Sequence, residues 1–423
     1  MLGSRVRAPE GAQRFRRVTR WSPFLFAGKR PGRQGTGDMI ILMNKGLVAL
    51  ASGTFVLGIS EYVMMGILPD VSEALAVSIP EAGRLISLYA VGVCVGAFSL
   101  LFLRKLPPKR ILLILSYEML AGAILAVTSV NYGMLLVARF IEGLPHGAYF
   151  GAASIVAVKL AEEGKKASAV SIMCAGMALA NLLGNPLASL LSGSLSWRVP
   201  FMALTCLCLV ELLMIWRWVP QVEALQDTGM KGQFRFLRNL DPWLILLTTL
   251  FMNCGIFAWY SYISPLLQHA SGFSAKVVPY LMVIAGAGMM TGTLGGGRLA
   301  DRFRPGRTTL AVSLVTIVLL GAVFFTAQLP AVSLLLTFLL CACLFAVSAP
   351  EQLMILEHAG GGEMLGGCCI QVAFNLGNAI GAYLGGLPID AGLSYNYTGL
   401  VGVPIAVLGS VAIFLFIRKY ERS

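Results

Sequence analysis

The sequence predicts an all-α, polytopic membrane protein whose twelve transmembrane helices form two six-helix halves. Composition is the first reason: of 423 residues, 57% are hydrophobic and 12% charged, with a mean hydropathy of +0.79, whereas soluble domains carry roughly 25% charged residues. The second is the recurrence of apolar runs close to the ~20 residues a helix needs to cross hydrocarbon, separated by short joints bearing charge, Gly or Pro. The third is that no stretch alternates with the period of two that a transmembrane barrel requires, and only helices otherwise satisfy their backbone within one segment.

Taken in order, the first span covers 46–68; it follows Met43 and Lys45, stops at Pro69 and carries Glu61 and Tyr62. The second, 84–103, ends in the basic joint RKLPPKR, and the third, 111–129, contains Glu118. The fourth, 132–156, holds RFIEGLPHG and therefore three titratable groups, Arg139, Glu142 and His146. The fifth, 168–191, is rich in small residues, and the sixth, 199–218, contains Glu211. The seventh, 243–266, ends at Pro265, the eighth covers 277–297, and the ninth 308–327. The tenth, 331–354, has Glu351 close to its end, which reads as an interfacial acid. The eleventh and twelfth cover 364–387 and 398–417.

Orientation follows from the basic residues, which favour cytoplasmic loops. With the N-terminus inside, Arg104, Lys105, Lys109, Arg110, Lys159, Lys165, Lys166, Arg217, Lys231, Arg235, Arg238, Arg298, Arg302, Arg304, Arg307, Arg418, Lys419 and Arg422 fall on one side; Arg84, Arg198 and Lys276 fall on the other. Both termini are thus expected in the cytoplasm of a multi-pass inner-membrane protein. The same asymmetry accounts for much of the +12 net charge, so nucleic acid is not implied as a partner. Residues 1–42 hold nine basic and two acidic side chains and are expected to be a disordered extension, with Met43 as an alternative start. The stretch 220–242, charged and poor in apolar residues, reads as a cytoplasmic linker between bundles at 43–219 and 243–423. All nine cysteines lie inside the spans with no metal-site spacing, so they read as small packing residues.

Repetition supports the two halves. LLGNPLASLLSG (182–193) aligns with NLGNAIGAYLGG (375–386), and Pro69 with Pro265, so the six-span unit occurs twice, as in many transporters.

These features, together with several motifs, resemble the major facilitator superfamily. GRLADRFRPGR, with Gly297, Leu299, Asp301, Arg302 and Arg307, resembles its motif A, which implies close helix approach at Gly297 and a charge-assisted latch between Asp301 and the arginines. The first-half counterpart, GAFSLLFLRKLPPKR, lacks the acidic residue. Arg139 with Gly143 resembles the RxxxG of motif B, associated with proton transfer in proton-coupled members. Gly176, Gly184 and Pro186 resemble the antiporter motif C, although Asn185, Leu187 and Ala188 depart from it. SEYVMMG in the first span and GLPHG in the fourth point to the drug:proton antiporter group that includes the AraJ-like arabinose efflux permeases, a likeness running from about Met43 to the end.

Charge inside the membrane is costly, roughly 2.5–3.5 kcal/mol per group on insertion scales, so such groups face a cavity or the bundle interior. Arg139, Glu142 and His146 share one helix face. At 1.5 Å per residue, Arg139 lies about 10 Å below the outer end of its span and Glu61 about 22 Å above the inner end of the first, so their depths match. Glu61 is therefore expected to be the proton-titrating carboxylate and Arg139 to tune it. Glu142 is expected to pair with Arg139, and His146 to be a kink residue bonded to a neighbouring helix. The resemblance also implies a cavity lined by Tyr62, Asn253, Trp259, Tyr260, Tyr262, Gln371 and Asn375, aromatics and amides suited to a sugar or an amphipathic drug; Trp259 and the tyrosines equally suit an interfacial aromatic belt. No Walker A loop, HExxH pair or nucleophile motif occurs, so neither an enzyme nor a cofactor or metal is expected. The expectation is a monomeric secondary transporter exchanging a small solute for protons, with a passive facilitator or a non-transporting sensor as alternatives.

Overall fold

The computed structural model describes residues 35–77, 79–224, 229–274 and 276–421. The side chains of 35–44 and of a few residues within helices, Pro186 among them, also lie outside the described set, as do residues 1–34 of the basic extension. Residues 1–41 and 42–423 are separate units, and the packing below concerns the second.

Among the described residues, twelve long helical segments follow one another: α1 Gly35–Ala74, α2 Ile79–Gly96, α3 Pro108–Val127, α4 Tyr132–Leu160, α5 Lys166–Ser194, α6 Arg198–Trp218, α7 Leu240–Tyr260, α8 Val278–Phe303, α9 Pro305–Thr326, α10, α11 Glu363–Asp390 and α12 Tyr397–Tyr420. The tenth is broken into α10a, Pro330–Ala346, and α10b, Ser348–His358. Ten of the segments are long and apolar enough to cross a membrane by length and composition. The other two, α4 and α8, have 29 and 26 residues; α4 is the helix that carries the charged triplet. Large side chains such as Phe102 and Phe325, each 77% exposed, face outward, as lipid contact requires.

Within the first half α4 packs on α2 and α3, and α3 on α6; within the second, α7 packs on α11 and α12, and α8 on α10a. Glycine permits the closest of these approaches. A Cβ at Gly143 of α4 would lie 2.2 Å from the Tyr89 carbonyl oxygen of α2. Cβ atoms at Gly377, Gly381 and Gly385 of α11 would stand 2.5, 2.3 and 2.1 Å from carbonyl oxygens of α7. In lipid, where apolar burial drives nothing, such small-residue stripes are what holds helices together.

The halves meet along α5 with α8 and α4 with α11. The α4–α11 contact is tight near the end that bears the basic loops, where a Cβ at Gly151 would lie 2.6 Å from the Met364 carbonyl oxygen.

The break in helix ten has a local cause. Pro350 has no N–H to give to the Ala346 carbonyl and its ring crowds that group, so the helix stops at Ala346 and resumes at Ser348. The Ser348 hydroxyl donates to the Phe345 carbonyl at 2.6 Å, satisfying one group the break exposes.

Candidate functional site

The close α2–α4 approach decides what surrounds the charges of α4. Arg139 and Glu142 are fully buried and form an ion pair one helical turn apart. Arg139 also donates to the Ser60 carbonyl of α1 at 2.8 Å, the Ser60 hydroxyl donates to Glu142 Oε2 at 3.1 Å, and the guanidinium stands 4.5 Å above the Tyr89 ring. The pair is therefore neutral as a unit, with its partners drawn from α1 and α2. Arg139 thus reaches the first helix at the level expected from depth, but its partners there are atoms of Ser60, the residue before Glu61. Within 4.0 Å of the Glu61 carboxyl stands instead the Nδ1 of the His146 imidazole. Depth along a helix fixes height and not azimuth, and Glu142, on the helix face of Arg139, occupies the direction that Glu61 was expected to take.

His146 is nearly buried, stacks on Phe150 with ring centroids 5.6 Å apart, and has Nδ1 2.9 Å from the Tyr89 hydroxyl. That hydroxyl lies 3.3 Å from the Leu57 carbonyl. A short polar chain thus joins His146, Tyr89 and the backbone of α1, with the Glu61 carboxyl 4.0 Å beyond the imidazole.

Glu61, Tyr62 and His146 open onto a narrow cavity between the halves, with about 40 Å³ of space accessible to water. The opposite wall comes from α7, α10b and α11 and includes Thr249, Glu351, Gln352, Gln371 and Asn375. Glu351, expected at the interface, is 1% exposed and faces this cavity instead. The helix runs on to His358, so the glutamate sits a further turn inside than the end of the apolar run suggests. Its Oε2 accepts from the Thr249 hydroxyl at 2.9 Å. The neighbouring Gln352 donates from Nε2 to Ser154 Oγ of α4 at 3.1 Å and to the Gly367 carbonyl at 3.3 Å, which ties the two halves beside the cavity.

This helix order, with a cavity between its two halves, is matched by what the chain resembles. Residues 50–366 match the model of the Major Facilitator Superfamily. The chain belongs to that superfamily. The putative transporter AraJ of Escherichia coli K12 is 40% identical over 384 residues, 90% of this chain and 97% of that one. The inner membrane transport protein YdhP of the same strain is 35% identical over 382 residues, 90% and 98% of the two chains. Among solved structures, the superfamily transporter FucP in its outward conformation superposes with a TM-score of 0.70 at 19% identity, covering 88% of this chain and 98% of that one, a likeness of fold. This chain is thus a multi-pass membrane transporter of the major facilitator superfamily and not an enzyme.

Within that superfamily frame, motif A works differently from the expected latch. Asp301 accepts from the backbone amides of Ala167 and Ser168, both at 2.9 Å, and so caps the N-terminus of α5 from the other half. A helix N-terminus offers unpaired N–H groups and the positive end of the macrodipole. The arginines stay outside: Arg302 and Arg307 are exposed, with Arg302 over the Phe303 ring at 5.1 Å. Gly297 does sit at a close crossing, since a Cβ there would lie 2.4 Å from Ser171 Cβ of α5. Gly184 is buried in α5, where a Cβ would come 3.1 Å from the Ile59 side chain; Pro186 lies in the same helix with its side chain outside the described set.

Of the expected ligand residues, Tyr62, Gln371 and Asn375 line the cavity. Asn253 is buried one turn beyond Thr249 and donates to its carbonyl at 2.7 Å. Trp259 is 1% exposed and tilted against Tyr260, so it belongs neither to an aromatic belt nor to the cavity lining. Tyr260 packs edge-on against Phe257, and Tyr262 donates to the Ala382 carbonyl at 2.9 Å. Glu211 is buried within the first half, where it accepts from the Ser116 hydroxyl at 2.8 Å and borders a separate, smaller space with Gly53 and Tyr149.

Proposed function

We propose that this transporter is a proton-coupled exporter of the inner membrane, with basic loops and termini in the cytoplasm, moving a small sugar or amphipathic drug by alternating access. The observation that supports this best is Glu61: a carboxylate on the first-half wall of the central cavity, its imidazole neighbour 4.0 Å away, and the nearest permanent cation already paired with Glu142. Such a carboxylate can take a proton when the cavity is empty and release it when a solute displaces it. Arg139 fixes the position of Glu61 through the carbonyl of Ser60 and adds a positive charge that favours the ionised acid, against the desolvation that favours the neutral one. The Asp301 cap and the Gly151 and Gly297 crossings tighten the basic end, and on this reading the proton enters from the opposite side. With no nucleotide-binding motif in the sequence, the energy comes from an ion gradient or from the gradient of the solute itself, and the buried Glu61 favours the first.

The test is transport in proteoliposomes of the purified chain with a pH-sensitive dye. An imposed proton gradient should drive solute movement, and Glu61→Gln should abolish it while leaving a monodisperse protein. Movement that persists when a protonophore collapses the gradient would identify a passive facilitator and end the coupling.

A further inference from the structure

Glu211 is a buried acid that the central cavity leaves out. It stands on α6 at 3% exposure, inside the first bundle, and among the described residues no cation is bonded to it. Its neighbours are hydroxyls, Ser116 of α3 at 2.8 Å and Tyr149 of α4. Gly53 of α1 makes room for the second, because a Cβ there would fall on the Tyr149 oxygen. The space these residues border has about 10 Å³ accessible to water, enough for about one molecule, and Glu211, Ser116 and Tyr149 are the polar groups that can hold it. The charged groups on this side of α4, Arg139 and Glu142, are bonded to each other. The remaining titratable neighbour is the buried thiol of Cys208, between the two acids and one turn back on α6.

The surrounding hydrogen bonds suit this acid in both of its states. A hydroxyl has one proton, and the Ser116 oxygen lies 2.9 Å from the Leu112 carbonyl as well as 2.8 Å from Glu211 Oε1. With the carboxyl protonated, Glu211 donates to Ser116 and Ser116 donates on to Leu112. With the proton gone, the hydroxyl turns to the carboxylate, and the Leu112 carbonyl keeps its helical partner, the N–H four residues on. One rotation serves both. Burial without a cation favours the protonated form while the site is closed. Glu142, held by a guanidinium, has no such choice.

Position gives the proton its destination. Glu211 is seven residues from Trp218 at the end of α6, about 10 Å from the basic side, whereas Glu61 stands about 22 Å above it. At Trp216 the exposed amine of Lys109 already meets the α6 backbone, donating to its carbonyl at 2.8 Å. Toward the other side, Leu57 lines the small space while its carbonyl ends the polar chain from His146. We infer that Glu211 is a second proton site, built inside the first bundle and away from the solute: it holds a proton in the conformation described and releases it toward the basic end when the halves rock. This rests on the transport reading above and adds a second proton-carrying acid to it. On release the proton passes from the carboxyl to the water of the small space and out at the basic end, and the Ser116 hydroxyl takes its place at Oε1.

The test is infrared spectroscopy of the full chain in lipid nanodiscs at neutral pH, which needs no solute. The C=O stretch of a protonated carboxyl should be present in the native chain and in Glu61→Gln and missing in Glu211→Gln. If Glu211→Gln does not purify as a monodisperse protein, Glu211→Asp replaces it and should shift the band. Transfer to D2O should displace the band as its proton exchanges. Gly297→Val, which parts α8 from α5, should speed that exchange about tenfold, the effect of weakening the closed state by about 1.4 kcal/mol. A band untouched by the Glu211 variant would mean a standing carboxylate, and an exchange rate unchanged in Gly297→Val would mean a sealed structural acid; either overturns the inference. Transport that ignores the proton gradient in the proteoliposome test would instead refute the function proposed above, with the band and its exchange unaltered.

Discussion

Helices α4 and α10b face each other across the cavity and bury acids in opposite ways. On α4, Glu142 is matched by Arg139 and held by Ser60, an ion pair reaching α1 and α2 in which Glu142 Oε1 and Arg139 Nε and Nη2 have no partner. On α10b, Glu351 has one hydroxyl partner, Thr249, and an open oxygen. The difference teaches that burial alone does not mark a working group. The acid with a cation bonded to it is bound into the scaffold; on the function proposed above, the acids that exchange a partner are those with no cation bonded to them, a condition that Glu61 and Glu351 both meet.

The contrast can be broken by substitution. The largest effect is expected at Glu61→Gln, with gradient-driven transport falling to background in proteoliposomes; full transport would move the proton elsewhere. Next, Glu142→Gln strands a buried guanidinium and should cost about 3–5 kcal/mol in SDS-titration unfolding, with most of it recovered when Arg139→Met is added. Glu351→Gln strands no charge, so the same measurement should show at most about 1.5 kcal/mol. Equal losses at 142 and 351 would erase the distinction between the walls. At the closure, Gly297→Val should separate α8 from α5 and raise maleimide labelling of Cys174, which lines the cavity. Asp301→Asn should do the same more weakly, since it loses only the charged part of a cap worth about 0.5–2 kcal/mol.

Much of the fold was legible because the bilayer writes length and hydropathy into sequence. The charged face of α4 was legible too, since three ionisable residues in an apolar span must turn away from lipid to be tolerated there. Less could be read where the signal was geometric. Nothing in the spacing told Ser60 from Glu61 as the partner of Arg139, because helix rotation is set by the Gly143 crossing. Glu351 was misread because Pro350 divides the helix and the apolar run fades before the helix does. Trp259 looks amphipathic in sequence, yet the α11 glycines draw their helix onto α7 and the indole is enclosed.

The receiver for Asp301 is main chain. Because Ala167 and Ser168 contribute only their amides, side chains at 167 and 168 can drift without loosening the clasp, provided the helix still starts there, whereas position 301 has no such latitude. An alignment of near relatives should show a fixed acid facing a variable pair, and statistical covariation would pass over one of the firmest ties between the halves.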